Sequence, residues 1–391
     1  MMTIDSFEFN NPRVERIVFG LGIVRHVREE VGRLGASRAF LVTSPSVACT
    51  QLLAVIREGL GSQCAAVFDG VCPHSPTDII EVAANAARKV KADILISIGG
   101  GSAIDTAKGV AALLAEGGPL PRFAVRFTPP DQKHVPPLMA IKLPHIAVPT
   151  TLSGGEYSYS VGITEGDKKY ILADPKLAPR TVLLDPEAVG TIPSNLLAAS
   201  GMNALAHCVE GIYSTHTQPI TKALCLSGVS QLAEYLPRAV SQPENLEALG
   251  EVQVGACLAG MGVYSAWTGI HHAIVHVIGG RFKVPHASIH ALVLPYAMRW
   301  NLDATVEAQA RIARAMGIKA TSDTDAAATA PQAVLEMNQR MGLPLRLREL
   351  NVPRDGLTLL AEDALRDFSV YTNPKPIHSS GQVLEVLEMA W

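Results

Sequence analysis

The stretch GMNALAHCVEG, residues 201–211, sets Asn203 and His207 four residues apart, on one side of a helix. Two donors at that spacing can hold a metal ion, but an Asn amide is a poor ligand for a divalent transition metal, where Asp would be a good one. A second stretch, TGIHHAIVHVIGGRFKVPHASIH, residues 268–290, carries five of the chain's twelve His. His272 and His276 share a helix face, and Pro285 and His286 follow a Gly-Gly break. One His on an apolar face is ordinarily a satisfied core residue. Five in an apolar background are hard to explain by packing, because each buried imidazole needs partners.

Taken together, these stretches offer three imidazoles, His207, His272 and His286, around Asn203, with His276 left over as a proton carrier. A divalent ion there would act as a Lewis acid on a carbonyl or alkoxide oxygen. Such a site normally contains a carboxylate or thiolate, or three His with water, and Asn203 adds no charge to offset the ion. No bound metal is therefore expected; if iron or zinc does bind, its ligands are Asn203, His207, His272 and His286. Without a metal the imidazoles still titrate near neutrality and can give a hydrogen bond or proton to an oxygen that turns negative during hydride transfer. The cluster also suits a carboxylate substrate.

A different chemistry is written at residues 96–111, ISIGGGSAIDTAKGVA: an apolar strand, then Gly100, Gly101 and Ser102, then a helix that contains Asp105. Glycines let a backbone approach a pyrophosphate, and the start of a helix presents free N–H groups at the positive end of its dipole. The spacing is not GxGxxG, and alone it reads equally well as a tight turn. IAVPTTLSGGEYS, residues 146–158, adds Thr150, Thr151 and Ser153 after another strand. Two polar loops at the carboxyl ends of neighbouring parallel strands make the crevice in which open α/β sheets bind nucleotides. After the strand AFLVT stands Ser44, where an acidic residue would repel a ribose 2′-phosphate, so NADH and NADPH are both admitted.

The elements that must position these groups follow from periodicity. Residues 38–46, 62–71, 92–101, 145–151 and 181–186 read as strands and alternate with helical patterns, which predicts an α/β domain with a parallel sheet over residues 1–190. From about residue 191 the apolar positions fall three and four apart, predicting an all-α domain over 191–391, with the boundary near DPEAVGTIPSN. The Pro-rich segment 117–144 is either a surface excursion or a flap beside the ligand.

With 391 residues, 48% hydrophobic, and a formal net charge of -3, the chain can build two cores and shows no basic footprint for nucleic acid. It reads as having no secretory signal and no membrane span, and its six scattered Cys read as reduced thiols of a cytoplasmic protein. The expected partner is a small molecule, and Arg126, Arg281 and Lys283 are its candidate carboxylate contacts unless they are simply solvated.

The succession VFGLG, GGGSAIDTAK, PTTLSGGE, SGMNALAHCVE and IHHAIVH followed by PHA resembles the iron-dependent (group III) alcohol dehydrogenase superfamily along nearly the whole chain. The resemblance implies an N-terminal dinucleotide-binding domain, a C-terminal helical domain, a site in the cleft between them and a homodimer. In metal-dependent members an Asp matches Asn203 and joins three His that match His207, His272 and His286. Asn203 with the doubled His271-His272 resembles instead the maleylacetate reductase branch. Those enzymes reduce the double bond of maleylacetate to give 3-oxoadipate in aromatic-ring breakdown and are regarded as metal-independent. That branch tends to carry a small residue where this chain has Asp105.

The resemblance places the pyrophosphate on Gly100, Gly101 and Ser102, with Thr150, Thr151 and Ser153 near the nicotinamide. Lys169 matches a position that contacts the cofactor. His207, His272 and His286 then hold a substrate oxygen while His276 supplies the proton. Three alternatives stay open: a metal-dependent alcohol or aldehyde oxidoreductase, a dehydroquinate synthase-like cyclase, and a binding protein that has lost its chemistry.

Overall fold

In the computed structural model, which describes residues 6–11, 13–128, 132–166, 168–282 and 284–391, the apolar runs of the first half pair into one parallel sheet. Its strands are β1 (Arg16–Phe19), β2 (Ala39–Thr43), β3 (Cys64–Phe68), β4 (Ile94–Gly99), β7 (His145–Pro149) and β10 (Thr181–Leu184), in the order β1-β10-β7-β4-β2-β3. Two antiparallel hairpins stand apart from it: β5 (Arg126–Thr128) with β6 (Gln132–His134), and β8 (Ser160–Glu165) with β9 (Lys168–Ala173).

Strands β2, β4, β7 and β10 are buried along their whole length, as a parallel sheet covered on both faces requires. The alternation of the pleat divides the core. Phe40, Val42 and Leu95 join the helices Thr77–Lys89 and Gly101–Glu116 on one face; Leu41, Ile96 and Ile98 meet Val27, Ile56 and Leu60 on the other. Edge strand β1 is mostly exposed, so it lacks the apolar run that marks its neighbours.

The Pro-rich segment contains the β5–β6 hairpin. It is pinned by buried Leu120 and Leu138, and by the Glu116 carboxylate, which accepts from Lys142 Nζ (2.7 Å) and the Ala140 N–H (2.7 Å). Arg126 is exposed on β5, and Lys283 lies outside the described residues.

The chain divides into two units. One comprises residues 13–197 with Gln242–Gln253; the other comprises residues 6–11, Ala198–Ser241 and Val254–Trp391. The described residues of the second unit contain helices and no strand. Its core is built from the helices Ile270–Phe282, His286–Trp300, Leu357–Ala364 and Ser380–Ala390 around Ile274, Ile278, Leu292, Leu360, Val383 and Leu387. The helix Leu246–Ala266 is long and apolar enough to cross a membrane by length and composition, and 56% of its most apolar window is buried, as in a core helix.

Candidate active site

Three helices and one turn of the helical unit bring its polar side chains together. Ser194–Tyr213 presents Asn203, His207 and Glu210 on one face, Ile270–Phe282 carries His271, His272 and His276, and His286–Trp300 carries His286 and His290. Asp367 caps the turn Phe368–Thr372.

Glu210, fully buried, is the hub. One oxygen accepts from the Gly269 N–H (2.8 Å); the other is bound to Nδ1 of His272 and lies 3.3 Å from Nδ1 of His271. A Cβ on residue 269 would fall 2.7 Å from Asn373 Oδ1 and 3.0 Å from Glu210 Oε1, so only glycine permits this approach. Burial opposes the charge on Glu210, yet the imidazoles of His272 and His271 hold its carboxyl well below the ordinary range. His271 has both ring nitrogens engaged, because its Nε2 also lies 3.0 Å from the His290 carbonyl.

His276 has a separate orienting partner. Its Nδ1 lies 2.9 Å from Asp367 Oδ2. Burial opposes Asp367's charge as well, but His276 and the Ser369 N–H hold its carboxyl down at about 2. A carboxylate on Nδ1 keeps the proton there and leaves Nε2 as the working nitrogen. His286 stacks on His276 with ring centres 6.2 Å apart, and its Nε2 lies 3.0 Å from Nε2 of His290.

His207 stacks on His272 at 5.0 Å, and burial, followed by the neighbouring His272, lowers its pKa to about 3, so it is neutral at pH 7. Four buried atoms of the cluster have no hydrogen-bond partner among the described residues: Asn203 Oδ1, His207 Nδ1, His272 Nε2 and His290 Nδ1. Buried polar groups are nearly always paired, so these atoms point to a polar ligand. Among the described residues, one trio offers metal-donor atoms within 4.8 Å of one another, namely His271, His272 and His290.

In the α/β unit the two sequence-predicted loops touch. Gly99 adopts φ 146° at the end of β4, and a Cβ on Gly100 would fall 2.8 Å from Thr151 Oγ1. The Thr150 N–H donates to the Gly99 carbonyl (3.1 Å). A Cβ on Gly101, the first residue of the helix Gly101–Glu116, would lie 3.6 Å from Ser153 Oγ, which is buried with no hydrogen-bond partner among the described residues. A glycine-lined helix start beneath an unpaired hydroxyl fits a pyrophosphate oxygen.

The remaining predicted cofactor residues have local partners. Ser44 caps Pro45–Ala48 by accepting from the Val47 N–H (3.4 Å). Asp105 accepts from the Gly162 N–H (3.2 Å), and exposed Lys169 lies on the neighbouring strand, its Cε 3.4 Å from where a Gly162 Cβ would be. Ser102 holds the Ser75 hydroxyl on its carbonyl (3.1 Å). Arg281 is paired with Asp363 (2.5 Å).

Sequence reasoning overlooked several groups. Glu210 lies one helical turn beyond His207, with nothing but that ordinary i+3 spacing to mark it, whereas Asp367 comes from a distant turn and had no local signal at all. Lys108, with a fully buried ammonium, donates to the Gly155 (2.8 Å) and Ser160 (2.9 Å) carbonyls and so ties the second loop to the first helix. Glu156, in that loop, is pushed up to about 7 by burial.

Comparison with known proteins identifies the family and the fold. Residues 14–186 match the family described as iron-containing alcohol dehydrogenase, and residues 197–391 match the C-terminal part of the same family. Maleylacetate reductase 1 of Cupriavidus pinatubonensis (strain JMP 134 / LMG 1197) is 32% identical over 364 residues, 93% of this chain and 92% of that one. The crystal structure of a 1,3-propanediol oxidoreductase superposes with a TM-score of 0.89 at 30% identity, covering 99% of this chain and 100% of that one. Maleylacetate reductase from Agrobacterium tumefaciens gives 0.83 at 28% identity, covering 99% of both.

Proposed function

The chain belongs to the iron-containing alcohol dehydrogenase family and is an oxidoreductase, and on that footing we propose that it reduces maleylacetate to 3-oxoadipate with NADH or NADPH. The observation that carries the reading is Asn203 among imidazoles whose one central carboxylate, Glu210, is already occupied. An Asp at 203 would repel an anionic substrate; the Asn amide can instead donate to its oxygen.

The donor set is a weak one for a divalent metal, because both nitrogens of His271 are engaged, Glu210 is held in its own hydrogen bonds, and Asn203 adds no charge. The proposal therefore routes no step through a metal.

Reduced nicotinamide supplies a hydride. The glycine loop and Ser153 bind its pyrophosphate, with Thr150 and Thr151 beside them, Asp105 and Lys169 steadying the neighbouring strand, and Ser44 leaving room for a 2′-phosphate. Glu210 takes the Nδ1 proton of His272 and so orients that ring with Nε2 as an acceptor, while Asn203, His207 and His286 hold the carboxylate or enolate oxygen. Asp367 orients His276, whose Nε2 delivers the proton to the carbon next to the one that accepts hydride. The same reading makes the enzyme a cytoplasmic homodimer, which sedimentation and cell fractionation would test.

The test is oxidation of NADH and NADPH with maleylacetate before and after exhaustive chelation, with metal content measured on the same sample. Turnover in metal-free protein supports the reading. No turnover, together with bound iron or zinc, would favour a metal-dependent alcohol or aldehyde oxidoreductase, the reading that the 1,3-propanediol oxidoreductase superposition keeps in play.

A further inference from the structure

Trp267 occupies a backbone conformation that a bulky residue rarely adopts, with φ 66°. The strain is held from both sides. The Ala266 carbonyl accepts from the Ser214 hydroxyl, the Thr268 carbonyl accepts from the Thr372 hydroxyl, and the next N–H, of Gly269, donates to Glu210. A strained residue that its surroundings over-determine is a pointer to function.

The indole is the outer member of a row of rings that runs through Phe368 to His276. Trp267 stacks on His216 (ring centres 6.0 Å, planes 22° apart) and meets Phe368 edge-on (5.9 Å, 84°). Phe368 in turn lies 6.4 Å from the ring of His276, the proposed proton donor. The indole nevertheless remains 38% exposed.

Resting on the reading of the site as a reductase of an unsaturated carboxylate, we propose that Trp267 and Phe368 form an aromatic wall that receives the flat conjugated segment of the substrate while the imidazoles take its charged oxygen. A conjugated chain is planar and offers a π face to an indole; its saturated counterpart is puckered and loses that contact. Trp267 is thereby a specificity-determining residue that favours unsaturated over saturated carboxylates, and substrate over reduced product.

The experiment uses two six-carbon dicarboxylates that need no turnover: trans,trans-muconate, which is flat, and adipate, its saturated counterpart. Binding is read from intrinsic tryptophan fluorescence and, independently, by calorimetry. The intact protein is expected to bind muconate tighter than adipate by about threefold to tenfold, the worth of one aromatic contact, with quenching that is absent from Trp267→Phe. Trp267→Gly suits the left-handed backbone and so keeps the fold; its two affinities should become equal, and its KM for maleylacetate should rise by the same factor with little change in kcat. Undiminished discrimination in Trp267→Gly would overturn the wall and leave the reductase reading standing. Maleylacetate turnover by a protein that binds muconate no better than adipate would do the same, whereas absence of turnover would overturn the reductase reading itself.

Discussion

Oε2 of Glu210 is bound to Nδ1 of His272, and both groups lie in the interior of the helical unit, Glu210 with no exposed surface and His272 with 6%. A carboxylate so placed has no water to fall back on, which makes its partners indispensable to it and it to them.

Replacing Glu210 with Gln should therefore destabilise as well as disable. Removing a buried acceptor from its hydrogen bonds costs about 1–3 kcal/mol, which for a unit of this size lowers Tm by roughly 2–12 °C. Calorimetry on Glu210→Gln checks this, and a Tm within a degree of the parent would show that Glu210 is not the hub.

His276→Ala should lower kcat by about 10²- to 10⁴-fold while leaving the dissociation constant of the cofactor near its original value. Full turnover with an unaltered pH profile would remove His276 from the proton-donor role.

His145 provides a pH prediction far from any chemistry. It is buried on β7 with Nε2 2.7 Å from Ser97 Oγ, and burial, followed by Lys108, lowers its pKa to about 3. Below about pH 6.5 the unfolded chain takes up a proton that the folded chain refuses until about 3, so stability falls as pH drops through that window. His145→Gln should flatten the slope by about 1.4 kcal/mol per pH unit at most, measured by urea unfolding at pH 4.5 and 6.5.

Gly100→Ala pushes a Cβ to 2.8 Å from Thr151 Oγ1, so the two polar loops must part. NADH binding should weaken by about tenfold or more, equivalent to about 1.4 kcal/mol. An unchanged dissociation constant in a fluorescence titration would mean that the pyrophosphate lies elsewhere.

Legibility followed burial. Strands β2, β4, β7 and β10 are apolar throughout because both faces are covered, so their runs stand out; β1 is an edge, and three of its four residues face solvent. The β8–β9 hairpin lay hidden because SVGITE alternates over only two apolar positions and KKYILA does not alternate, and β5–β6 because prolines surround it. At the site, the density of His was visible in the chain, but the carboxylates that orient them were not. Glu210 has the look of an ordinary polar residue on an apolar helix, and Asp367 reaches His276 only through the tertiary fold. Asp105 stood beside the glycines as a cofactor candidate; its carboxylate is occupied by the Gly162 N–H, a partner no local spacing reveals.

The pairing of β1 with β10, Arg16 opposite Thr181 and Phe19 opposite Leu184, sets an order of events during synthesis. Of the strands of this sheet, β1 leaves the ribosome before the others and cannot find its neighbour until β10 has emerged, so nascent β1 waits with its edge unpaired through the making of the rest. The segment at residues 6–11 waits longer still, because Asn10 is tied to Ser265 of a helix made later, and the loop that must close around this region carries a correspondingly larger entropic penalty.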